Sequence, residues 1–443
     1  MGMQEYLRKI KGLKKAVQFS RHFVRKDPAF YFFSVAIARK RASIQTAPSK
    51  KILPLNEAHK CAGESEMALR ENLVAIPLRH GKTRDYSGGL ITQVSLELVH
   101  EAIHMRNFRN QVLYSQELPV EKVENLQVGK LQELNALVMF GGLLYEHFGH
   151  FLLESLGRLW AYDRIKHLDP YVFFLLAYDP PAYLETKNFA YQVFKGFGIP
   201  LTRIIFVKEP TRIKTAIIPS QKYGYGFSLR PSEEFMQFVR RFSYTQTIPA
   251  GYGNAEKIYV SRSRLAAGSG KAVGECYFEE YLAANGYFIF YPEKHTLYEQ
   301  LTVYSRASKI LFSDGSAVHA CILLPDLVAK IAVISRRKDP KYDITEILDQ
   351  FKGYKQAAIW IDAVLEQYQF GLPSWQCLAM VDWVQVSEKL LAGGFVDNPM
   401  EAIPCDQLDA TLKVDMRNHI RAISAEPLFI DYMLKAKETG AEA

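Results

Sequence analysis

Cysteines and clustered acidic residues are both scarce in this sequence. The five cysteines are odd in number, scattered over 443 residues and in no metal-ligand spacing: Cys61, Cys276, Cys321, Cys377 and Cys405. Such usage favours a reducing compartment and argues against a zinc site or a disulfide framework. No Asp-x-Asp occurs anywhere, so the clustered carboxylates of a metal-diphosphate site are missing. We therefore expect no bound metal.

Three well-known glycine signatures are missing as well. The sequence contains no GxGxxG after an apolar strand, no GxxxxGK followed by Ser or Thr, and no GxSxG. These absences argue against dinucleotide binding, P-loop nucleotide hydrolysis and serine-hydrolase chemistry.

Long hydrophobic runs are also lacking. An apolar run at 30–38 is too short to span a bilayer, and the basic residues after it offer no small-residue cleavage site for a signal peptidase. Hydrophobic residues make up 48% of the chain and charged residues 23%, as in globular proteins. The length allows two or three domains with their own cores.

The positive charge is concentrated at the N-terminus. Residues 1–41 contain 11 of the 55 Lys and Arg residues but only two acidic ones, although the net charge of the chain is +8. Apolar residues recur there at helical spacing, so a basic amphipathic helix can lie on an anionic membrane surface or pack on the protein itself. We expect a cytoplasmic protein, peripheral on the inner face of the membrane if this helix binds lipid, and no nucleic-acid partner.

Strand and helix patterns alternate through the middle of the chain. This alternation predicts two doubly wound Rossmann-like α/β domains facing across a cleft, with a basic N-terminal segment and a helical C-terminal extension. The predicted limits are 1–45, 46–230, 231–338 and 339–443. The predicted strands are 112–114, 136–140, 171–176, 204–207, 215–218, 257–260, 287–290, 309–313 and 330–334. The predicted helices are 148–167, 183–197, 232–244, 275–285, 297–305, 317–323, 344–351, 360–368, 384–391 and 408–421.

The segment 297–325 predicts an anion site. It reads as a helix, a strand, the turn Asp314-Gly315-Ser316 and a second helix. Glycine allows a tight turn, and the amides at the start of the following helix favour an anion. Ser316 and His319 share the first turn of that helix, so both can face a phosphate. An ordinary strand-helix connection is the alternative.

The segment 145–162 predicts an acid-base site. On a continuous helix His147, His150, Glu154 and Arg158 fall on one stripe. An imidazole beside a carboxylate can serve as an acid-base pair. The alternative is a solvated polar stripe in which Glu154 pairs with Arg158.

Further charged residues are candidates for contacts with a phosphate or a ribose. Arg262 and Arg264 follow the strand 257–260, where guanidinium groups suit a diphosphate. Glu275 begins the next predicted helix, and Glu299 can bind a ribose hydroxyl or cap its own helix. Surface arginines in a loop are the alternative for the first pair.

The order of these motifs resembles glycosyltransferase family 61, over roughly 130–335. The matching elements are His150 and Glu154 in HFLLE, YVSR at 259–262, Glu275 followed by Gly286 and Tyr287, Glu299 with Gln300, and GSAV at 315–318. The sequence departs from the family pattern at Gly274, Asp314, His319 and Ala320. The bacterial polysaccharide-biosynthesis branch is the part of the family that we expect.

The resemblance implies a GT-B-like fold and inverting, metal-independent transfer from a nucleotide sugar to a glycan or lipid-linked acceptor. It places the donor in the second domain and the base in the first. Glu154, or His150 supported by Glu154, is the expected base, with Asp314 left open. Arg262, Arg264, Gly315, Ser316, His319, Glu299 and Glu275 are expected at the donor, and Asp314, His147 and Arg158 at the sugar or acceptor. The alternative function is a non-catalytic glycan- or nucleotide-binding subunit of a membrane-associated polysaccharide assembly complex.

Overall fold

A computed structural model describes most of the chain between residues 52 and 423. The described residues are 52–53, 66–77, 88–108, 111–114, 123, 125–145, 147–176, 188–224, 230–338, 347–351, 358–368 and 376–423. The predicted N-terminal segment 1–45 lies outside them. Among the residues that the structure describes, no helix has the length and apolar character needed to cross a membrane.

The described strands and helices follow each other in a mixed α/β order. The strands are β1 (Ile52–Leu53), β2 (Met67–Ile76), β3 (Gly89–Thr92), β4 (Met105–Phe108), β5 (Gln111–Tyr114), β6 (Glu133–Leu144), β7 (Tyr171–Leu176), β8 (Ile204–Val207), β9 (Thr211–Pro219), β10 (Lys257–Val260), β11 (Lys271–Val273), β12 (Phe288–Phe290), β13 (Lys309–Ser313), β14 (Lys330–Ile334), β15 (Ala358–Ile361), β16 (Val364–Tyr368) and β17 (Leu378–Val381). The α-helices are α1 (Phe148–His150), α2 (Tyr162–Ile165), α3 (Phe189–Gly196), α4 (Glu233–Val239), α5 (Glu275–Ala284), α6 (Leu297–Arg306), α7 (Trp383–Ala392) and α8 (Cys405–Ile423).

The first large sheet is mixed, not purely parallel as predicted. Its order is β3-β2-β9-β6-β7-β8, in which β6 pairs in parallel with β7 and β9 while β2 pairs antiparallel with β3 and β9. Strands β7 and β8 have the predicted bounds, and β6 and β9 are longer. The predicted strand 112–114 lies in β5, which joins β1 and β4 in a separate antiparallel sheet.

The second large sheet is parallel throughout. Its order is β12-β10-β13-β14-β15. Strand β10 comes first in sequence, and the chain adds β12 on one side of it before returning to β13 on the other. In open α/β sheets ligands bind at the carboxyl ends of the strands where the order reverses in this way. The segments after β10 and β13 therefore meet at the expected ligand position.

The C-terminal part contains strands that the sequence did not predict. The prediction of a helix at 360–368 is wrong, because β15 and β16 occupy most of this segment and leave only a two-residue gap between them. Strand β15 pairs in parallel with β14, so the chain beyond the predicted limit at 338 completes the second sheet. Helices α7 and α8 confirm the predicted helices 384–391 and 408–421. The domain limits themselves stay a prediction.

One apolar core connects the two large sheets. Phe151 and Phe194 from the first half belong to the same buried cluster as Phe312 and Val318 from the second. Helices α3 and α6 are also joined by hydrogen bonds, since the Tyr298 hydroxyl donates to the carbonyl of Gln192 at 2.8 Å. This packing places the turns that follow β6, which include Phe151, beside the end of β13.

Candidate active site

The segment after β6 is not the continuous helix that the sequence predicts. After the short helix α1, Phe151–Ser155 form a π-helical turn, and shorter 3₁₀ and α turns follow. Single π turns inside helices are frequent at functional sites. All five residues of this turn are buried, and Glu154 is among them.

Glu154 lies between two imidazoles. Its Oε1 is 2.5 Å from Nδ1 of His150, and its Oε2 is 3.0 Å from Nε2 of His104. The Glu154 and His104 side chains are 0% and 3% exposed. An ionised carboxylate only accepts hydrogen bonds, so each imidazole must donate through the nitrogen that faces it. This arrangement places the lone pair of His150 on Nε2, and Glu154 does not pair with Arg158.

His150 is the member of this group that reaches solvent. Its side chain is 44% exposed, whereas Glu154 has no exposed surface. The rings of Tyr145 and His147 lie against it, with centroids 5.5 and 5.2 Å away. Loss of solvation, followed by the charges of His150 and Arg262, lowers the pKa of His147. His147 and His150 thus stand at the rim of the first half, facing the second.

Arg158 lies on the same segment but has a different environment. Its guanidinium is buried and donates to the carbonyls of Glu101, Ile103 and Pro219. Burial lowers the pKa of Arg158 to about 9. This geometry assigns Arg158 to holding the segment 101–103 and the end of β9, and it does not support the predicted sugar contact.

Arg262 follows β10 and lies directly against the chain after β13. Its Nη2 donates to the carbonyls of Ser269 and Gly270, at 2.9 and 3.2 Å. A Cβ atom on Gly315 would collide with Nη1 of Arg262. Gly315 has φ 173 and ψ −179, an extended backbone, so the close approach of Arg262 and not a tight turn requires glycine there. Burial, followed by the charge of Arg336, lowers the pKa of Arg262 to about 10.

Two arginines that sequence reasoning missed join this site from the end of β14. Arg337 holds Asp314 through two parallel hydrogen bonds, Nε to Oδ2 at 2.7 Å and Nη2 to Oδ1 at 2.8 Å. Arg336 donates through Nε to the Asp314 carbonyl at 2.7 Å. The signal that could have found them is the sequence SRRK directly after an apolar strand of the parallel sheet.

Asp314 is therefore the counter-ion of an arginine cluster. Burial alone would raise the pKa of this carboxyl, but the charges and hydrogen bonds of Arg337, and the charges of Arg336 and Arg262, lower it overall. Its carboxylate faces Arg337 and is 1% exposed. This placement does not support the predicted sugar or acceptor contact, and it disfavours Asp314 as the base.

The turn after Gly315 is a 3₁₀-helix, Ser316–Leu323, and not the predicted α-helix. His319 is buried in it, with Nδ1 3.2 Å from Oε1 of Gln350. Burial lowers the pKa of His319 to about 4, so the ring is neutral at neutral pH and offers no positive charge to a phosphate. Ser316 lies at the start of the turn, where a Cβ added to Gly149 would be 2.8 Å from its Oγ. This contact brings the base candidates and the arginines to one place.

The comparison with known proteins fits this arrangement. Residues 148–331 match the family model described as Glycosyltransferase 61. This match supports glycosyltransferase family 61 for residues 148–331. The protein is a glycosyltransferase enzyme, as the resemblance implied, and the non-catalytic alternative loses its support. No curated protein matches the chain at a significant level.

The matched domain holds most of the site but not all of it. His150 and Glu154 lie near its start, and Arg262 and Ser316 lie inside it. His104 precedes the matched residues, and Arg336 and Arg337 follow them. Parallel strands in both large sheets agree with a Rossmann-like glycosyltransferase fold. Within the described part of the glycosyltransferase, no group of three or more His, Cys, Asp and Glu side chains is arranged to hold a metal ion.

Three further predicted donor residues of the glycosyltransferase have local partners. Glu275 is buried, and its Oε1 accepts from the Tyr259 hydroxyl, the Ser261 hydroxyl and the Arg262 amide at 2.7, 3.2 and 3.0 Å. Burial raises the pKa of Glu275. Glu299 closes a capping box with Thr296. Arg264 is exposed, with its guanidinium 4.1 Å from the ring centroid of Tyr291. Glu275 thus supports the strand end that presents Arg262, and the other two lie outside the group around Asp314.

Proposed function

We propose that this glycosyltransferase transfers a sugar from a nucleoside diphosphate sugar to a hydroxyl of a glycan acceptor, with inversion and without a metal. The observation that carries the proposal is the position of His150 in the first half, next to the Gly149–Ser316 contact with the second. The donor diphosphate would lie at the ends of β10 and β13, and the acceptor would approach from the His150 side.

His150 is the proposed general base. The acceptor hydroxyl gives its proton to Nε2 of His150 while its oxygen bonds to the anomeric carbon. The bond from that carbon to the diphosphate oxygen breaks, and its electron pair leaves with the diphosphate. Glu154 stabilises the imidazolium that forms, since its Oε1 lies 2.5 Å from Nδ1.

The arginine cluster is the proposed site of the leaving diphosphate. Arg262, Arg336 and Arg337 bring three positive charges to a place where the nearby carboxyl groups are Asp314 and Glu275, which leaves at least one positive charge in excess. Fixed cations directed at a position where charge develops are the main source of stabilisation in such reactions. The Ser316 hydroxyl and neighbouring amides would add hydrogen bonds. This excess of positive charge suits a diphosphate and supports transfer without a metal.

The burial of Glu154 supports inversion. A retaining enzyme that works by double displacement needs a nucleophile in contact with the anomeric carbon. Glu154 is the carboxylate next to His150, and its side chain has no exposed surface. A single displacement by the acceptor itself therefore fits the geometry better.

The wider setting is also part of the proposal. A GT-B-like arrangement is supported by the two separate sheets and by the site between them. A role in the biosynthesis of capsule, O-antigen or exopolysaccharide, with a glycan or lipid-linked acceptor, rests on the resemblance. Binding of 1–41 to an anionic membrane, with the protein peripheral on the inner face, rests on the charge of that segment.

A donor panel tests the proposal. The full chain is incubated with UDP-, GDP- and TDP-sugars, with and without EDTA, and both release of the nucleoside diphosphate and the anomeric configuration of the product are measured by NMR. We expect turnover of one donor class, unchanged by EDTA, with an inverted anomeric centre. A retained configuration, or activity abolished by EDTA and restored by a divalent cation, would contradict the proposal. His167→Ala, a change at an exposed histidine, is the control for His150→Ala.

A further inference from the structure

The environment of Glu154 contains a residue whose role goes beyond the proposed base. His104 lies between the 3₁₀ turn His100–Ala102 and β4, 50 residues before Glu154, and is 2% exposed. Its Nε2 is 3.0 Å from Oε2 of Glu154. Burying an imidazole against a buried carboxylate is costly unless the two are hydrogen-bonded. The hydrogen bond between His104 and Glu154 therefore offsets the cost of burying both side chains.

The segment that carries His104 is itself held in place. Arg158, four residues after Glu154, donates to the carbonyls of Glu101 and Ile103 at 2.9 Å each. The same chain segment thus binds the His104 loop twice, through Glu154 to the ring and through Arg158 to the backbone. This double attachment fixes the distance between His104 and the π-helical turn.

The hydrogen bonds to Glu154 determine which tautomer a neutral His150 adopts. Glu154 accepts from His104 at one oxygen and from His150 at the other. With His104 donating to Oε2, the carboxylate stays ionised and its Oε1 remains directed at Nδ1 of His150. That direction keeps the proton of a neutral His150 on Nδ1 and the lone pair on Nε2.

We propose that His104 is a positioning residue for the catalytic base, holding Glu154 as an ionised acceptor that fixes the tautomer and orientation of His150. The inference rests on the proposed function of His150. His104 itself touches no substrate in this account, because its ring is buried behind Glu154.

Several charged or titratable side chains surround the group of His104, Glu154 and His150. Tyr145 at the end of β6 lies beside both His104 and His150, with ring centroids 6.5 and 5.5 Å away. His147 packs on His150 from α1, and His319 interacts with His150 from the second half. Arg158 is close through the 101–103 backbone.

A series of variants at His104 tests the inference. His104→Leu removes the hydrogen-bond donor to Glu154. In His104→Asn the side chain is too short for its amide to reach Oε2 of Glu154, whereas His104→Gln keeps an N–H near the position of Nε2. Histidine-labelled full-length chain is followed by ¹⁵N NMR over pH 5 to 9, without any ligand. We expect the Nδ1–H tautomer of His150 in the wild type and in His104→Gln. We expect mixed tautomers of His150 in the Leu and Asn variants.

Turnover of the donor class found in the panel is measured on the same proteins. We expect kcat to fall about 10- to 100-fold in the Leu and Asn variants, with the donor KM little changed. His104→Gln should recover most of the activity. His419→Leu, which removes a buried histidine of α8 beside Lys271, should lower the melting temperature without changing the tautomer of His150.

Several outcomes would overturn the inference. An unchanged His150 tautomer in both donor-deficient variants would do so, as would equal losses of kcat in the Gln and Leu variants. If His104→Leu does not fold, the comparison of Asn with Gln carries the test. Wild-type turnover in His150→Ala would overturn the premise, and the NMR result shows separately whether His104 controls the tautomer.

Discussion

Gly149 and Ser316 meet where the two halves of the protein come together. A Cβ atom on Gly149 would lie 2.8 Å from Oγ and 3.1 Å from Cβ of Ser316. One residue lies beside His150, and the other follows the glycine that contacts Arg262. Because this contact leaves no room for a methyl group, it sets the spacing between the proposed base and the proposed diphosphate site.

Gly149→Ala should therefore reduce activity. The added methyl group must turn the Ser316 hydroxyl away and shift Ser316 or α1 by a few tenths of an ångström. Since a displacement of about 1 Å between reacting groups can cost about 100-fold in rate, we expect kcat to fall about threefold or more at saturating donor. Gly129→Ala is the matched control, since a Cβ there meets nothing within 4 Å. Equal activity of the two variants would show that the spacing is not set by this contact.

Asp314→Asn should destabilise the protein strongly at neutral pH. The substitution leaves the largely buried Arg337 and the buried Arg336 without their counter-ion. Breaking a buried pair in this way costs about 3 to 5 kcal/mol. Urea unfolding at pH 7 measures the loss. Asp169→Asn, in a surface pair with Arg203, should cost no more than about 1 kcal/mol. A loss at Asp314 as small as the control would contradict the account of the arginine cluster.

His319 and Asp314 should affect stability in different pH ranges. The pKa of His319 is lowered from 6.5 to about 4. Between these two pH values His319 is therefore protonated in the unfolded chain and neutral in the folded chain. Stability should fall as pH decreases from about 6.5 to 4 for this reason. The lowered pKa of Asp314 adds a stabilisation that is present above its unfolded value of 3.8 and is lost only as pH falls through the still lower folded value.

His319→Gln should flatten the first part of this dependence. Melting temperatures of wild type and variant between pH 7 and 4.5 measure it, and the wild type should lose more stability over that range. Parallel curves would mean that His319 is already protonated in the folded protein.

Arg262→Ala should weaken donor binding. The guanidinium lies at the reversal of strand order and is supported by Glu275 through the Arg262 amide. A charge-assisted contact to phosphate is worth about 1.5 to 3 kcal/mol, so we expect about a 10- to 100-fold higher donor Kd by calorimetry. Arg240→Ala, in an exposed pair with Glu233, is the control. An unchanged Kd would remove Arg262 from the donor site.

The second large sheet was more predictable from the sequence than the first. Strands β10, β13 and β14 are short apolar runs between clear helix and turn signals, and their predicted bounds are confirmed. Strands β2 and β3 were not predicted from the sequence. Exposed charged residues such as Arg70 and Glu71 interrupt the apolar pattern of β2. The prediction of a helix at 360–368 was wrong for a different reason. The apolar residues of the two short strands β15 and β16, separated by two residues, recur at a spacing close to that of a helix.

Of the site, the sequence could identify residues but not their partners. Helical spacing brought His150 and Glu154 together correctly, while the π-helical turn and the burial of Arg158 depend on tertiary packing. His104 lies far away in sequence and has no motif, so only the fold connects it with Glu154. The sequence near Asp314 shows no counter-ion for it, so Asp314 was expected to face the sugar or acceptor. Its partner Arg337 comes from the end of another strand, and only the fold brings the two together.

The kinetics of His150→Gln test the central claim most directly. The account predicts that kcat falls about 100- to 10,000-fold, as for the loss of a general base, while the donor Kd measured by calorimetry stays within about twofold. His167→Gln should behave as the wild type. Wild-type kcat in His150→Gln, with the same donor and a folded protein, would contradict the assignment of His150 as the base.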